Sequence, residues 1–285
     1  MFERLGLYGK LVRLDKPIGT LLLLWPTLWG LFVAADGWPE PAILCIFVLG
    51  TFLMRSAGCA MNDYVDRDVD RHVARTEKRV LTAGLIEPRE ALYVAAVLGL
   101  VSLILVLFLN VLTIFLALIA AILAVTYPLF KRFFAIPQAY LGVAFGFGIP
   151  MAFAAIQNEV PSVAWVMLLA NVCWAIAYDT EYAMVDRDDD LRLGLKTSAI
   201  TFGRYDVALV ALCYLLAIAL LGLVGYSLSY GWPYYLGLLL ALGISALHLY
   251  WIRDRDRQAC FKAFLHNTWL GAAVFCGIGL QLTLY

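Results

Sequence analysis

The sequence predicts an all-α integral membrane protein, and its composition, its apolar runs and its distribution of basic residues all indicate this class. Of the 285 residues, 63% are hydrophobic and 15% are charged, whereas soluble domains usually contain about 25% charged residues. The mean hydropathy is +0.84. No fold of this length could hide so much apolar side chain from water, so a water-soluble globule is excluded. The formal net charge of zero also argues against a nucleic-acid partner.

Nine apolar runs predict nine transmembrane helices, because a helix needs about 20 mainly apolar residues to cross a bilayer. The runs cover residues 17–35, 41–62, 91–109, 111–127, 137–156, 161–180, 207–229, 231–252 and 263–285. Only Asn110 separates the third and fourth runs, but together they are nearly two spans long, so a tight hairpin is expected there. Residues 1–285 are therefore interpreted as a single membrane-embedded domain.

The basic residues predict the orientation of these spans. Twenty of the 21 Lys and Arg residues lie before run one or after runs two, four, six and eight, and the remaining one, Arg55, lies inside run two. The charged residues of the opposite loops are all acidic, namely Asp36, Glu40 and Glu159. By the positive-inside rule, the basic segments and the amino terminus are cytoplasmic. Nine spans then place Tyr285 on the external side.

A short acidic pattern occurs twice in the chain. Residues 65–70 read Val-Asp-Arg-Asp-Val-Asp, and residues 185–190 read Val-Asp-Arg-Asp-Asp-Asp. Pro17 and Pro137 open runs one and five at the same offset. The sequence thus predicts duplicated four-helix units, at about residues 17–136 and 137–256, followed by a ninth helix. Four spans return the chain to the same side, so both acidic patterns are expected at cytoplasmic helix ends.

The two acidic regions have the spacing of carboxylates on one helical face. The residues that share a face are Asn62, Asp66 and Asp70 in the first region and Asp179, Tyr182, Asp186 and Asp190 in the second. Arg55, seven residues before Asn62, points the same way, and an intramembrane arginine normally faces the bundle interior. Solvated interfacial charges are the simpler interpretation, but carboxylates four residues apart repel unless a cation lies between them.

Clustered carboxylates without His or Cys suit Mg²⁺, a hard cation that prefers oxygen ligands. Mg²⁺ commonly takes one or two carboxylates and completes its shell with water and phosphate oxygens. Two such regions facing each other suit two or three Mg²⁺ ions around a diphosphate, with Lys and Arg neutralising the remaining charge.

The two regions, called here the first Asp segment (residues 62–70) and the second Asp segment (residues 178–190), resemble the motifs of the UbiA-type membrane prenyltransferases. The first family motif, N-D-x-x-D-x-x-x-D, fills residues 62–70, and the second, D-x-x-x-D, runs from Asp186 to Asp190. Residues 15–19 (DKPIG), 25–29 (WPTLW) and 194–198 (GLKTS) resemble the 4-hydroxybenzoate polyprenyltransferase branch. The chain departs from the family at Val80, where proline usually follows the arginine.

The resemblance implies transfer of a polyprenyl chain from an allylic polyprenyl diphosphate to 4-hydroxybenzoate, at the ring carbon ortho to the hydroxyl. Diphosphate is released, and the reaction belongs to ubiquinone biosynthesis. The resemblance also implies Mg²⁺ as cofactor, the cell inner membrane as location, and the lipid bilayer and the two substrates as partners. A carbocation-like prenyl group must be kept from water. Cytoplasmic cap loops, residues 63–89 and 181–205, are expected to exclude it.

The same resemblance assigns roles to the acidic residues. Metal ligation falls to Asp66, Asp70, Asp186 and Asp190. Asn62, which opens the first motif, is a candidate for metal ligation or for substrate binding.

Basic residues near the Asp segments are candidates for binding the anionic groups of the substrates. Lys131 and Arg132 follow run four, and Arg75, Arg79 and Lys196 lie in the expected cap loops. Arg132 is preferred for the acceptor carboxylate, because a guanidinium pairs with a planar carboxylate through two hydrogen bonds. Each of these residues can equally be an ordinary positive-inside charge.

Three alternative functions remain open from the sequence. A UbiA-type prenyltransferase with another acceptor, such as a naphthoate, homogentisate, a porphyrin or phosphoribose, differs only in a few cavity residues. A cation transporter would use the same carboxylates, but transporter sites usually lie near the midplane of the membrane at broken helices. A non-catalytic scaffold leaves the duplicated Asp segments unexplained.

Overall fold

The computed structural model describes residues 2–71, 76–130 and 133–285, and this part of the chain is helical with no β-strand. The helices are α1 (Phe2–Leu11), α2 (Ile18–Ala35), α3 (Pro41–Asp70), α4 (Pro88–Val106), α5 (Val111–Phe130), α6 (Pro137–Gly146), α7 (Gly148–Gln157), α8 (Ser162–Leu193), α9 (Ser198–Phe202), α10 (Asp206–Ser227), α11 (Trp232–Ile252) and α12 (Arg257–Leu284). A 3-10 turn, Gly203–Tyr205, joins α9 to α10. The predicted all-α class is confirmed.

Eight helical segments in the described part are long and apolar enough to cross a membrane, and α6 and α7 together form one of them. In α5, Val111–Tyr127 is a shorter apolar helix. The structure therefore supports a multi-pass membrane protein, while a ninth span at α5 stays a prediction. The predicted hairpin is present, since α4 ends at Val106 and α5 begins at Val111. The Asn110 side-chain oxygen accepts a hydrogen bond from the Thr113 amide at 2.9 Å, which satisfies one free donor at the start of α5.

Two helices are much longer than a bilayer requires. The 30 residues of α3 and the 32 residues of α8 correspond to about 45 and 48 Å at 1.5 Å per residue. The hydrocarbon core of a bilayer is only about 30 Å thick. Each of these helices is therefore longer than a perpendicular crossing needs, and the two Asp segments lie in their carboxyl-terminal parts.

Helices α6 and α8 approach each other closely because Gly142 has no side chain. A Cβ atom at Gly142 would lie 2.8 Å from the Cα atom of Val172. The Asn171 side chain on α8 donates a hydrogen bond to the Gly142 carbonyl at 2.9 Å. This contact fixes α6 against the part of α8 that leads into the second Asp segment.

A buried polar network joins α8 to α10, α11 and α12. Glu181 accepts hydrogen bonds from the Tyr214 hydroxyl and the Asn267 amide, each at 2.8 Å. The Tyr214 oxygen lies 3.0 Å from Nδ1 of His248, and the Trp174 indole donates to Asn267 at 2.9 Å. All five side chains are buried. Polar groups in an apolar bundle are costly unless they are paired, so this network strongly disfavours rotation of α8 about its axis.

Candidate active site

A single large cavity of about 1570 Å³ brings together the described residues that the sequence analysis selected. Its walls come mainly from α2, α3, α4, α5, α6 and α8, with additional residues from α7 and α12. Ligand pockets usually measure about 300–1,000 Å³, so this cavity has room for two substrates. The predicted site residues that line it are Asn62, Asp66, Asp70, Arg79, Asp186, Asp190 and Lys196. Arg75, Lys131 and Arg132 lie outside the described residues.

The first Asp segment is tied to neighbouring loops by two arginines. Arg13 donates from Nη2 to both carboxylate oxygens of Asp63, at 2.7 and 2.8 Å. Arg79 donates from Nη1 to Asp63 at 3.0 Å and to Asp70 at 2.6 Å. Asp70, the expected metal ligand, and Arg79, an expected anion-binding residue, are thus paired with each other in the structure. Asp63 is 1% exposed, and its two arginine partners hold the amino-terminal segment and the loop after α3 at the cavity.

The electrostatic environment of Asp70 favours a nearby cation. Burial raises the pKa of the Asp70 carboxyl, and the Arg79 guanidinium opposes this effect. Asp66 and Asp63 raise the same pKa further, because their negative charges disfavour ionisation of Asp70. A positive ion beside Asp70 would favour its charged form.

The second Asp segment presents only one of its faces to the cavity. Asp186 and Asp190 line the cavity, whereas the Asp188 side chain pairs with Arg257 at 3.1 Å and is mostly exposed. Helix α8 ends at Leu193 and is followed by Gly194, whose φ of +66° is a left-handed conformation that glycine adopts without strain. The Leu195 amide then donates to the Asp190 carbonyl at 3.0 Å, which turns the chain back over the cavity mouth.

Ion pairs centred on Asp206 hold the second Asp segment in place. Asp206, at the start of α10, is fully buried and accepts a hydrogen bond from Nη2 of Arg255 at 2.6 Å. Arg187, within the second Asp segment, reaches the same carboxylate at 3.4 Å. Arg187 therefore points away from Asp186 and Asp190 and anchors α8 to the start of α10.

Arg55 lines the cavity wall, which confirms the prediction that it faces the bundle interior. Its Nη1 atom lies 2.5 Å from Sγ of Cys59, one turn further along α3. Its guanidinium also packs directly on Gly19 of α2, where an added Cβ atom would be only 2.5 Å from Nη2. The position of Arg55 therefore depends on a glycine in the neighbouring helix.

Glycine and alanine residues of α3, α4 and α5 give the cavity a wide apolar part. They are Gly50, Gly58, Ala95, Ala96, Gly99, Ala117, Ala120, Ala121 and Ala124. Because these residues occupy little volume, space remains between the helices. Such an apolar space suits a hydrocarbon chain better than a polar ligand.

The donor set of the cavity fits Mg²⁺ in its chemistry. Within the described residues, no group of three or more His, Cys, Asp or Glu is close enough to hold a metal on its own. Mg²⁺ does not need such a cage, since it commonly binds one or two carboxylates plus water and substrate phosphates. The carboxylates of Asp66, Asp70, Asp186 and Asp190 all line the one cavity, and oxygen donors of this kind suit that cation.

Comparison with protein families identifies the group to which this cavity belongs. A model described as the UbiA prenyltransferase family matches residues 23–271, which include both Asp segments. The chain belongs to the UbiA prenyltransferase family. The family resemblance that the two Asp segments indicated is thereby confirmed.

Curated UbiA relatives match almost the whole chain. A protein from Cupriavidus pinatubonensis is 66% identical over 97% of this chain and 97% of its own length. Another from Cupriavidus necator is 67% identical with the same coverage. A third, from Burkholderia pseudomallei, is 58% identical over 100% of this chain and 99% of its own. All three relatives are named 4-hydroxybenzoate octaprenyltransferase.

Solved UbiA structures share the fold. The apo UbiA homolog from Aeropyrum pernix K1 aligns with a TM-score of 0.80 at 23% identity, over 93% of this chain and 97% of that one. A UbiA homolog from Archaeoglobus fulgidus bound to GPP and Mg²⁺ aligns with a TM-score of 0.75 at 20% identity, over 98% and 100% of the two chains. At these identities the comparison establishes the UbiA fold.

The structure adds residues that sequence reasoning did not place in this UbiA cavity. Arg13, one of the basic residues before run one, binds Asp63. Tyr178, the first residue of the second Asp segment, lines the cavity. A signal for Tyr178 was present, because Tyr178, Tyr182, Asp186 and Asp190 recur every four residues and share one helical face.

Proposed function

We propose that this chain is a 4-hydroxybenzoate polyprenyltransferase that acts in ubiquinone biosynthesis. The observation that carries this proposal is one cavity that combines carboxylates from both Asp segments with a wide apolar part. An allylic polyprenyl diphosphate has the same two parts, a charged head and a hydrocarbon chain. The names of relatives that are 58–67% identical over nearly the full chain supply the acceptor.

The proposed cofactor is Mg²⁺, held by Asp66, Asp70, Asp186 and Asp190, with Asn62 beside them. Mg²⁺ would neutralise charge on the diphosphate and polarise the oxygen that leaves with it. The description of the Archaeoglobus fulgidus homolog with GPP and Mg²⁺ supports this choice for the family.

The proposed reaction needs charge neutralisation at the cavity mouth and exclusion of water. Arg79 and Lys196 both line the cavity and would bind the diphosphate oxygens. Arg79 would use guanidinium donors other than Nη1, because Nη1 pairs with Asp63 and Asp70. The C–O bond of the prenyl group breaks and its electron pair leaves with the diphosphate. The ring carbon ortho to the phenol hydroxyl donates a π-electron pair to form the new C–C bond, and the proton on that carbon is then lost. The expected cap segments, residues 63–89 and 181–205, are not simple loops, because they include the helical ends of α3 and α8 and the short helix α9. These segments would keep water from the cationic prenyl group.

The carboxylate of 4-hydroxybenzoate needs a cationic partner, because burying it alone would be very costly. Arg132 stays a proposal for this role, and Lys131 and Arg75 stay proposals for the diphosphate, since all three lie outside the described residues. Arg55 meets the same requirement from within the cavity wall. We therefore propose that Arg55 binds the acceptor carboxylate, with Arg132 as an additional partner.

We further propose that the Asp segments face the cytoplasm in the cell inner membrane, with Tyr285 external. Twenty cationic residues on alternate segments support this orientation. We also propose that residues 17–136 and 137–256 are duplicated units within the single domain. The two overlong helices, α3 and α8, support the duplication because each carries an Asp segment at its carboxyl end.

The experiment is a transfer assay with membranes that contain this chain, labelled 4-hydroxybenzoate and a polyprenyl diphosphate. Label should enter the lipid fraction with Mg²⁺, and EDTA should abolish this until Mg²⁺ is restored. Asp190→Asn should nearly abolish transfer, whereas Asp188→Asn should not, because Asp188 pairs with Arg257 away from the cavity. Transfer to another phenolic acceptor but not to 4-hydroxybenzoate would overturn the assigned acceptor. Full activity in EDTA would overturn the metal.

A further inference from the structure

We propose that Asp63 is a positioning residue, which holds Arg79 at the cavity while Mg²⁺ replaces Arg79 on Asp70. In the structure Arg79 bridges these two carboxylates. In the proposed exchange Arg79 leaves Asp70, stays on Asp63 and turns its remaining donors to the diphosphate. This inference rests on the proposed function, and it explains how one guanidinium can serve a metal ligand and the anionic substrate in turn.

A single nitrogen atom of Arg79 makes both contacts. Nη1 donates to a carboxylate oxygen of Asp70 at 2.6 Å and to one of Asp63 at 3.0 Å. A guanidinium has five N–H donors, two of them on Nη1, so each carboxylate takes one of these two hydrogens. The bond to Asp70 can therefore break while the bond to Asp63 remains. The donors on Nη2 and Nε are the ones that would bind the diphosphate oxygens.

Mg²⁺ and Arg79 compete for the Asp70 carboxylate. Asp70 is 6% exposed, and its two oxygens belong to one small group. A metal ion on either oxygen would lie next to the Arg79 guanidinium. Two cations at such a short separation repel each other, and they do so more strongly in a buried site than in water. We therefore expect Nη1 to leave Asp70 when Mg²⁺ binds there.

Asp63 is fixed by a second arginine and can retain Arg79 after this exchange. Both oxygens of Asp63 accept hydrogen bonds from Nη2 of Arg13, at 2.7 and 2.8 Å, which fixes the orientation of the carboxylate. The side chain of Asp63 is 1% exposed, and that of Arg79 is 20% exposed. Without Asp63, a displaced Arg79 would extend into water. With Asp63, it keeps a charge-assisted hydrogen bond at the cavity wall.

The backbone beside Arg79 is anchored, so that the guanidinium can move alone. Val80 and Leu81 are each 5% exposed and pack in one hydrophobic cluster with Leu11 of α1. The exchange of Arg79 from Asp70 to the diphosphate therefore needs only rotation of a part-exposed side chain. Such rotations are fast compared with loop or domain motions.

The first test removes the guanidinium and measures Mg²⁺ binding in place of activity. The purified protein in detergent is unfolded by heat at increasing Mg²⁺ concentration without diphosphate, and the rise in Tm gives the apparent Kd for Mg²⁺. Arg79→Gln should tighten Mg²⁺ binding about tenfold, because the competing cation is gone. At saturating Mg²⁺, the same variant should bind inorganic diphosphate about tenfold more weakly.

The sign of the change in Mg²⁺ affinity separates this proposal from a different role for Arg79. If Arg79 stayed on Asp70 and oriented it as a metal ligand, Arg79→Gln would weaken Mg²⁺ binding about tenfold to a hundredfold. Weaker or unchanged Mg²⁺ binding in Arg79→Gln would therefore overturn the exchange.

The matched control is Lys196→Gln, which removes an equal positive charge from the wall of the same cavity. The Lys196 ammonium donates to the Phe133 carbonyl at 3.2 Å and not to Asp70. Lys196→Gln should therefore change the apparent Kd for Mg²⁺ far less than Arg79→Gln does. Equal tightening in both variants would show that only net charge matters, and it would overturn the exchange.

The second test concerns Asp63 itself. Asp63→Asn should raise the KM for the polyprenyl diphosphate about tenfold, because Arg79 is no longer held for it. It should also weaken Mg²⁺ binding, because Arg79 then keeps to Asp70, and it should leave the KM for 4-hydroxybenzoate unchanged.

A double-mutant cycle distinguishes positioning from a general structural role. In the Arg79→Gln background, Asp63→Asn should lose most of its effect on diphosphate and Mg²⁺ binding, because the residue that Asp63 positions is absent. Additive effects would overturn the role of Asp63. If Asp63→Asn does not fold, the Mg²⁺ affinity of Arg79→Gln still decides whether the exchange occurs.

The proposed function and this inference can fail separately. If EDTA leaves transfer by the wild type intact, the metal assignment of the proposed function is wrong, and the exchange falls with it. If Mg²⁺ restores transfer after EDTA but Arg79→Gln does not bind Mg²⁺ more tightly than the wild type, the proposed function stands and only the exchange is wrong.

Discussion

Gly19→Ala is a stringent test of the proposed role of Arg55, because it moves a guanidinium without changing any charged residue. The added Cβ atom would lie 2.5 Å from Nη2, 3.0 Å from Nε and 3.1 Å from Cζ of Arg55. Comfortable contacts between such atoms begin at about 3.5 Å. The guanidinium must therefore shift by roughly 1 Å, which its flexible side chain allows.

This shift should affect binding geometry far more than stability. Alanine in place of glycine is favourable by about 0.5–1 kcal/mol in the middle of a helix and by less at Gly19, which lies in the first turn of α2. The crowding is also relieved by movement of a flexible side chain, so Tm should stay near that of the wild type. A misplacement of about 1 Å in a positioning group can cost about a hundredfold in rate. We expect kcat/KM for 4-hydroxybenzoate to fall about tenfold to a hundredfold, with the KM for the polyprenyl diphosphate unchanged.

The assay is transfer of labelled 4-hydroxybenzoate in membranes, with Tm measured on the purified protein in detergent. Gly222→Ala on α10 is the matched control, because a Cβ atom there meets nothing within 4 Å. It should leave kcat/KM unchanged. If Gly19→Ala kept the wild-type kcat/KM for the acceptor, the guanidinium of Arg55 would not be the carboxylate partner.

Three further predictions concern residues elsewhere in the chain. Arg132→Ala should raise the acceptor KM in the transfer assay and Arg132→Lys should restore part of the loss; a raised KM for the diphosphate alone would contradict this. Asp63→Asn should lower Tm, because it removes the charge of a buried carboxylate that pairs with two arginines. Breaking a buried ion pair costs up to about 3–5 kcal/mol. The loss should be smaller here, because both arginines are part-exposed. Reporter fusions at Asp36, Val80 and Tyr285 should read outside, inside and outside, and an inside result at Tyr285 would exclude nine spans.

The face of a helix that reaches the cavity could be predicted from spacing alone. Each residue turns a helix by about 100°, so residues four apart differ by only about 40° and stay on one face. This arithmetic selected Tyr182, Asp186 and Asp190, and the structure places all three at the cavity. It also explains why Asp188, which lies on another face, pairs with Arg257 instead.

The partners of these residues could not be predicted in the same way. Arg13 and Asp63 are far apart in the sequence and meet only because α1 and its loop fold against α3. Arg79 looked like a free cation beside the Asp segments, and yet it binds Asp70 at 2.6 Å. Helical periodicity describes one element at a time. Ion pairs between elements depend on how those elements pack against each other. The periodicity of a single helix carries no information about this packing.

Glu181 shows why a buried carboxylate in the second Asp segment is not a sufficient sign of catalysis. It is fully buried directly after run six, where an ionisable residue is a candidate functional residue. Its position on α8 differs from that of Asp186 by five residues, or about 140°, so it faces Tyr214 and Asn267 on the opposite side. Rotating α8 by one residue would break both hydrogen bonds and move Asp186 out of the cavity wall. Glu181 therefore acts on the active site indirectly. Its two hydrogen bonds form only in the rotation of α8 that also places Asp186 in the cavity wall.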